Sequence, residues 1–90
     1  MYKASIKHIL ITILAKELLI KHIEIHAFDR FDVDLFLSDD ELNRLLYFVE
    51  MNFNIDLSNQ HITLHDRISD LVTCIYQKTI LDRAYVLQSA

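Results

Sequence analysis

Ser38-Asp39-Asp40-Glu41 sets one hydroxyl beside three carboxylates, directly after the apolar stretch of residues 31–37. A Ser followed three residues later by Glu, ahead of an apolar-periodic run, is first a capping box. The Ser oxygen and the Glu carboxylate satisfy helix N–H groups that have no intrahelical partner. No catalysis is needed to account for it. His22 and His26 lie four apart, as do His61 and His65, a spacing that can bring two imidazoles to one metal on a helix. Each pair flanks a segment that reads as loop and lacks a third ligand, so both read as solvated histidines and no metal site is expected. Carboxylates are numerous, but they fall among loop and cap positions with no sign of a shared buried acid–base site. Cys74 adjoins an apolar stripe and has only Lys78, one turn on, as a basic neighbour to lower its pKa. It reads as a packing residue.

The elements that must hold these residues follow from apolar spacing. Ile6, Ile9, Leu10, Ile13, Leu14 and Leu18 recur at helical intervals, with Lys3, Lys7, Lys16 and Glu17 largely opposite, and predict a first helix. Between Lys21 and Leu37 the pattern loosens into Ile23, Ile25, Phe28, Phe31, Val33, Leu35 and Leu37. That alternation taken alone suits a strand. Asp29, Asp32 and Asp34 interrupt it and no pairing strand is evident, so a long loop with buried anchors is preferred. A second helix is expected over about residues 39–52, capped by Ser38 and burying Leu42, Leu45, Leu46, Val49 and Phe53. Ile55 and Leu57 then precede the polar run Ser58-Asn59-Gln60-His61, where at most one helical turn fits. Thr63 and Asp66 give another capping signature, and Ile68, Leu71, Val72, Ile75 and Tyr76 mark a final helix. The tail holding Ile80, Leu81, Tyr85, Val86 and Leu87 either extends that helix or packs separately.

Composition narrows the function classes. Ninety residues, 52% of them hydrophobic, with no Gly and no Pro, suit one helix-rich domain. They leave no glycine-rich phosphate cradle. Nine basic against thirteen acidic residues give a net charge of −4, which works against phosphate-backbone binding, so nucleic acid is not an expected partner. The lone Cys74 supports neither an intramolecular disulfide nor a cysteine-based zinc site, and a reducing cytoplasm is the simplest home. Lys16, Glu17 and Lys21 interrupt the apolar start, and no small-residue cleavage site follows. Residues 9–14 therefore read as core helix, not as a signal peptide or membrane span.

This order of long helix, long anchored loop, helix, short connection and helix resembles the acyl carrier protein family. Ile6, Leu10, Ile13, Leu14, Leu18, Ile20, Ile25 and Phe31 fall where that family has the apolar residues of its first helix and loop. Asp34-Leu35 matches the Asp-Leu pair shortly before its modification site. Glu50 with Phe53-Asn54-Ile55-Asp56-Leu57 is similar to the end of its second helix, and the match runs without a gap from about residue 4 to residue 57. Thr63-Leu64, Asp66, Ile68 and Leu71 resemble the start of its last helix. The resemblance implies an all-α four-helix bundle with a long first loop and a short or reduced third helix. It implies a single domain over residues 1–90, with a C-terminal extension from about residue 77.

Two departures bear on function. In the family an Asp-Ser-Leu triplet opens the second helix, and its serine carries 4′-phosphopantetheine, whose thiol holds the acyl chain. Here Ser38, Asp39 and Asp40 occupy those places, so Asp39 stands at the serine position. A carboxylate cannot act as the hydroxyl nucleophile that attacks the pyrophosphate of coenzyme A. Phe36 replaces the glycine usual between the Asp-Leu pair and the triplet. The region before Thr63 is also about four residues short of the common pattern, which reduces the third helix to a turn and alters the groove beside the second helix.

The resemblance therefore implies a non-enzymatic, degenerate carrier-like protein without a prosthetic group. It would bind a carrier-protein-dependent enzyme or other protein through Ser38, Asp39, Asp40, Glu41, Arg44 and Tyr47. The alternative is a working carrier in fatty-acid, lipid or polyketide-type synthesis, modified with 4′-phosphopantetheine on Ser38 after a one-residue shift of the loop. A third reading is a small helical adaptor, homo-oligomeric through the apolar tail of residues 80–87. The aromatic set Phe28, Phe31, Phe36, Tyr47, Phe48 and Phe53 is read as core in preference to an acyl cavity. Tyr47 and Phe48 cannot both face one core, and an outward aromatic suits a partner surface.

Overall fold

Helix α1 spans Lys3–Glu17 and buries Ile6, Leu10, Ile13 and Leu14, a stripe at three- and four-residue intervals. The computed structural model describes the backbone of residues 2–20 and 25–89, and side chains as far as Ile80. Leu19, at φ 57°, closes α1 in the left-handed region, and the Ile20 N–H returns 3.0 Å to the Leu14 carbonyl. Donor and acceptor lie six residues apart, one more than in a six-to-one Schellman bond, and Leu19 takes the left-handed position that glycine normally serves.

Helix α2 covers Asp39–Phe53, one residue beyond the expected end, with Leu42, Leu45 and Val49 buried and Leu46, Phe48 and Phe53 packed partly against the core. Asn54 ends it in the left-handed region, its N–H on the Glu50 carbonyl, a conformation asparagine tolerates. The Glu50 side chain then accepts the Leu57 N–H at 3.0 Å and fixes the exit turn. Helix α3 runs Ile68–Ser89, so the tail continues the last helix and does not pack as a separate element. Ile68, Leu71, Val72 and Ile75 are its buried face.

The described residues form three helices and no strand, which establishes the all-α class. Residues 54–67 hold turns only, and the fourth, short helix of the expected bundle is absent there. The loop preference for residues 25–37 holds, with one antiparallel bridge between Arg30 and Arg67. Lys21, His22, Ile23 and Glu24 lie outside the described residues.

The second capping signature works differently from expectation. Asp66 Oδ2 accepts the Thr63 N–H at 2.7 Å, but this closes a turn before the helix. Residues 64–66 form a turn and a bend whose Leu64 and Asp66 carbonyls are taken by the first loop, so α3 starts only at Ile68, where Asp70 Oδ2 accepts the Arg67 N–H at 2.8 Å.

The core lies where the three helices meet, closed from the loops by Leu18, Ile25, Phe31, Leu35, Leu37, Ile55 and Leu57. Helix α1 packs on both α2 and α3. The Lys3 ammonium sits 5.3 Å over the Tyr76 ring, while Lys7 and Ala4 share a groove with Ser69, Val72 and Thr73. Residue numbers rise along α1 as they fall along α3, so the two helices are antiparallel and α1 begins opposite Tyr76.

Candidate functional site

The segment that delivers the chain to α2 is built from alternating anchors and acids. Ile25, Phe31, Leu35 and Leu37 are buried, and the aspartates between them close turns on nearby backbone, as short acidic side chains readily do. Asp29 Oδ2 accepts the His26 N–H at 2.8 Å, Asp34 Oδ2 the Arg30 N–H at 2.8 Å, and Asp32 Oδ1 the Val33 N–H at 2.6 Å. Backbone bonds then tie the segment to the start of α3. The Phe31 and Asp32 N–H groups donate to Asp66 and Leu64, and Ile68 and Ser69 donate back to Asp29 and Ala27, all at 2.8–3.1 Å.

Side chains reinforce this seam. Arg67 Nη1 donates to the Phe28 carbonyl at 2.6 Å. Asp32 Oδ2 takes Arg30 Nη2 at 2.8 Å and, from the other loop, His65 Nδ1 at 2.8 Å. Partial burial alone would raise the Asp32 pKa. The hydrogen bonds from Arg30, the Val33 N–H and His65, with the Arg30 charge, outweigh it and hold the carboxyl at about 2.

Past Leu35 the character changes. Phe36, with φ 56°, is left-handed, its N–H donates to Asp32 at 3.0 Å, and the Leu37 N–H reaches the Phe31 carbonyl at 2.9 Å. The pattern repeats the ending of α1. Phe36 therefore occupies a conformation costing an L-residue roughly 1–2 kcal/mol, at the position where the resemblance leads one to expect glycine, and its ring is 80% exposed.

Ser38 is the N-cap. Its Oγ accepts the Glu41 N–H at 3.2 Å, and Glu41 Oε1 accepts the Ser38 N–H at 3.0 Å, so the capping box read from sequence is formed. The Ser38 backbone bond, then the Ser38 side chain, and weakly the Arg44 charge, lower the Glu41 pKa against a small opposing effect of burial. Asp39 and Asp40 are exposed in the first turn, where carboxylates complement the positive end of the helix dipole.

Asp40, Arg44, Tyr47 and Met51, spaced four, three and four apart, share the outer face of α2. Tyr47 is 58% and Met51 61% exposed, and Tyr47 leans edge-on against Phe48 at 5.6 Å. Met51 was missed by sequence reasoning, although its four-residue step from Tyr47 was a usable signal. Arg44 also links helices, since Nη2 donates 3.2 Å to the Glu17 carbonyl near the end of α1. Of the six partner residues expected, Ser38 and Glu41 are engaged in the cap. Asp40, Arg44 and Tyr47 form the open face, and Asp39 lies on the turn beside it.

The remaining sequence candidates separate. Phe31 is core, and Phe48 and Phe53 pack partly against it. Phe28 and Phe36 are exposed, so the aromatic set neither fills the core together nor lines one cavity. A groove of about 340 Å³ is lined by His8, Ile9, Thr12, Ile13, Lys16, Glu17 and Asn52, away from the start of α2. His26 and His61 are exposed. His65 is exposed too, as sequence had it, although its Nδ1 lies 2.8 Å from Asp32 Oδ2. No group of three potential metal ligands occurs among the described residues. Burial, then Asp70 and Asp66, raise the Cys74 thiol and outweigh Lys78, which suits packing and not nucleophilic use. No described helix is long and apolar enough to cross a membrane. Comparisons with protein-family models, curated proteins and solved structures give no match.

For 4′-phosphopantetheine the donor chemistry at the first residue of α2 does not fit. Position 39 offers an exposed carboxylate, and the neighbouring Ser38 hydroxyl oxygen already serves as the cap.

Proposed function

We propose that this chain is a non-enzymatic, acyl-carrier-like protein that has lost its attachment serine and acts by presenting the start and outer face of α2 to a protein partner. The start of α2 carries the reading. Asp39 is the first helical residue, at the place where a carrier of this kind needs a hydroxyl, and the serine before it serves as a cap. The left-handed Phe36 supports kinship with a family that uses glycine there. The offered surface has an apolar centre in Tyr47 and Met51 and an acidic border in Asp39 and Asp40. Such a surface matches a partner patch with basic residues around an apolar pocket.

Incubation with a broad-specificity phosphopantetheinyl transferase and coenzyme A, read by intact mass, is expected to leave the wild-type chain unmodified. The triple variant Ser38→Asp, Asp39→Ser, Asp40→Leu, which restores the triplet, is expected to gain one adduct. An adduct on the wild type that disappears in Ser38→Ala overturns the degenerate reading. It would favour a working carrier, for which the exposure of Ser38 is the supporting observation. A triple variant that folds yet stays unmodified counts against carrier kinship itself.

A further inference from the structure

Helix α3 has two halves that are apolar on opposite faces. In the first, Ile68, Leu71, Val72 and Ile75 are buried, while Asp70, Thr73, Cys74 and Gln77 occupy the outer face at the same helical register. Beyond Gln77 the pattern inverts. Thr79, Asp82, Arg83 and Val86 continue the core-side face, three of the four being polar. Ile80, Leu81, Ala84, Tyr85 and Leu87 continue the outer one.

This second half outruns the body of the molecule. Helix α1 begins opposite Tyr76, and α3 runs on to Ser89. The last thirteen helical residues thus extend about 20 Å further at 1.5 Å per residue. The elongation of the molecule, 44 Å against 23 and 20 Å, accords with a helix longer than its neighbours. Ile80, the last residue whose side chain is described, is already 45% exposed, and Tyr2, at the same end, is 85% exposed. By helical register alone, the apolar positions of residues 80–87 fall largely opposite the face that Ile68, Leu71, Val72 and Ile75 bury.

We propose that this outer stripe is the contact of a symmetric dimer, in which the projecting halves of α3 from two copies of this chain pack antiparallel with Ala84 at the crossing. Three observations favour a second copy over other occupants. The small Ala84 lies near the middle of the stripe with Ile80 and Leu81 before it and Tyr85 and Leu87 after it, so a two-fold axis there sets apolar against apolar and lets the backbones approach. The charged residues of 78–89 are only Lys78, Asp82 and Arg83, a net +1, so the acidic excess of the chain lies in the body and the projecting helices meet without strong repulsion. Two basic residues offset by an acid are also few for an amphipathic helix that lies on an anionic membrane. Side by side, two helices of this length and about 10 Å diameter cover roughly a few hundred Å² on each copy, at the small end of specific interfaces, which calls for a micromolar dimer.

Sedimentation equilibrium of the full chain from about 1 µM to about 1 mM tests this. The mass is expected to rise from monomer to dimer. Ala84→Arg and Leu81→Asp are expected to weaken association at least tenfold with unchanged helicity, whereas Arg83→Glu, on the other face, leaves it intact. Should the stripe variants fail to fold, Ala84→Cys in a Cys74→Ser background is expected to give a covalent dimer on mild oxidation. A wild-type chain monomeric throughout, or no crosslink at position 84, overturns the proposal. So does a monomer that binds phosphatidylglycerol vesicles through Leu81. None of these outcomes depends on whether α2 engages a partner or a serine is modified.

Discussion

The two ends of the loop over residues 25–38 are built on opposite principles. The first, from Ile25 to Leu35, is tied down, with four backbone bonds to residues 64–69, an Arg–Asp–His contact across two loops and Phe31 wholly buried. The second, Phe36 to Asp40, has a left-handed phenylalanine, an exposed ring and acids in a capping turn. Its buried residue, Leu37, is a single anchor. The difference shows how a chain without glycine places an open helix start. A rigid seam absorbs the conformational cost, and the segment beyond it is left exposed.

Substitutions can break this contrast in graded steps. Phe31→Ala is expected to cost about 3–5 kcal/mol through cavity formation, read as a lower urea midpoint and a melting temperature reduced by at least about 12 °C. Phe36→Ala, five residues away, should stay within about 0.5 kcal/mol. If the two changes cost the same, the seam is not the stabilising end. Ser38→Ala removes the cap and should cost about 1 kcal/mol, with faster amide exchange in the first turn of α2. Phe36→Gly should act in the opposite sense and stabilise by about 0.5 kcal/mol, the relieved strain being partly offset by glycine's larger unfolded-state entropy; a lower urea midpoint would show that the ring contributes more than its exposure suggests.

The smallest effect concerns acid. The Asp32 carboxyl is held at about 2 in the fold, below its ordinary value, so its contribution is complete above the unfolded pKa near 3.8 and is lost as pH falls towards 2. Urea midpoints measured from pH 5 to pH 2 should therefore fall less steeply in Asp32→Asn than in the wild type. Equal slopes would show that the ion pair does not form in solution.

Where local pattern decides structure, the sequence was a good guide. The stripes of α1 and α2 and the Ser38–Glu41 box depend on neighbours within one or two turns, and all three formed. Thr63 and Asp66 misled because a capping signature cannot reveal that its backbone is needed elsewhere, here to pair with Phe31 and Asp32. The Asp32–His65 contact joins residues 33 apart and has no local signature. The left-handed turn at Leu19 was invisible for a similar reason: its usual marker is glycine, and the chain has none, whereas at Phe36 only the resemblance pointed to a glycine position. On α2, the position of Tyr47 was foreseen from its clash of facing with Phe48, whereas the tether from Arg44 to α1 required the packed pair of helices.

The Arg30–Arg67 bridge also imposes an order of events during synthesis. The contacts that hold the first loop come from residues 64–69, so a nascent chain that has emerged only through α2 holds the sequence of that helix start without the seam that orients it. Closing a contact between residues this far apart carries an entropic cost that local helix formation does not. The exposed start of α2 therefore gains its fixed seat only once the start of α3 has left the ribosome.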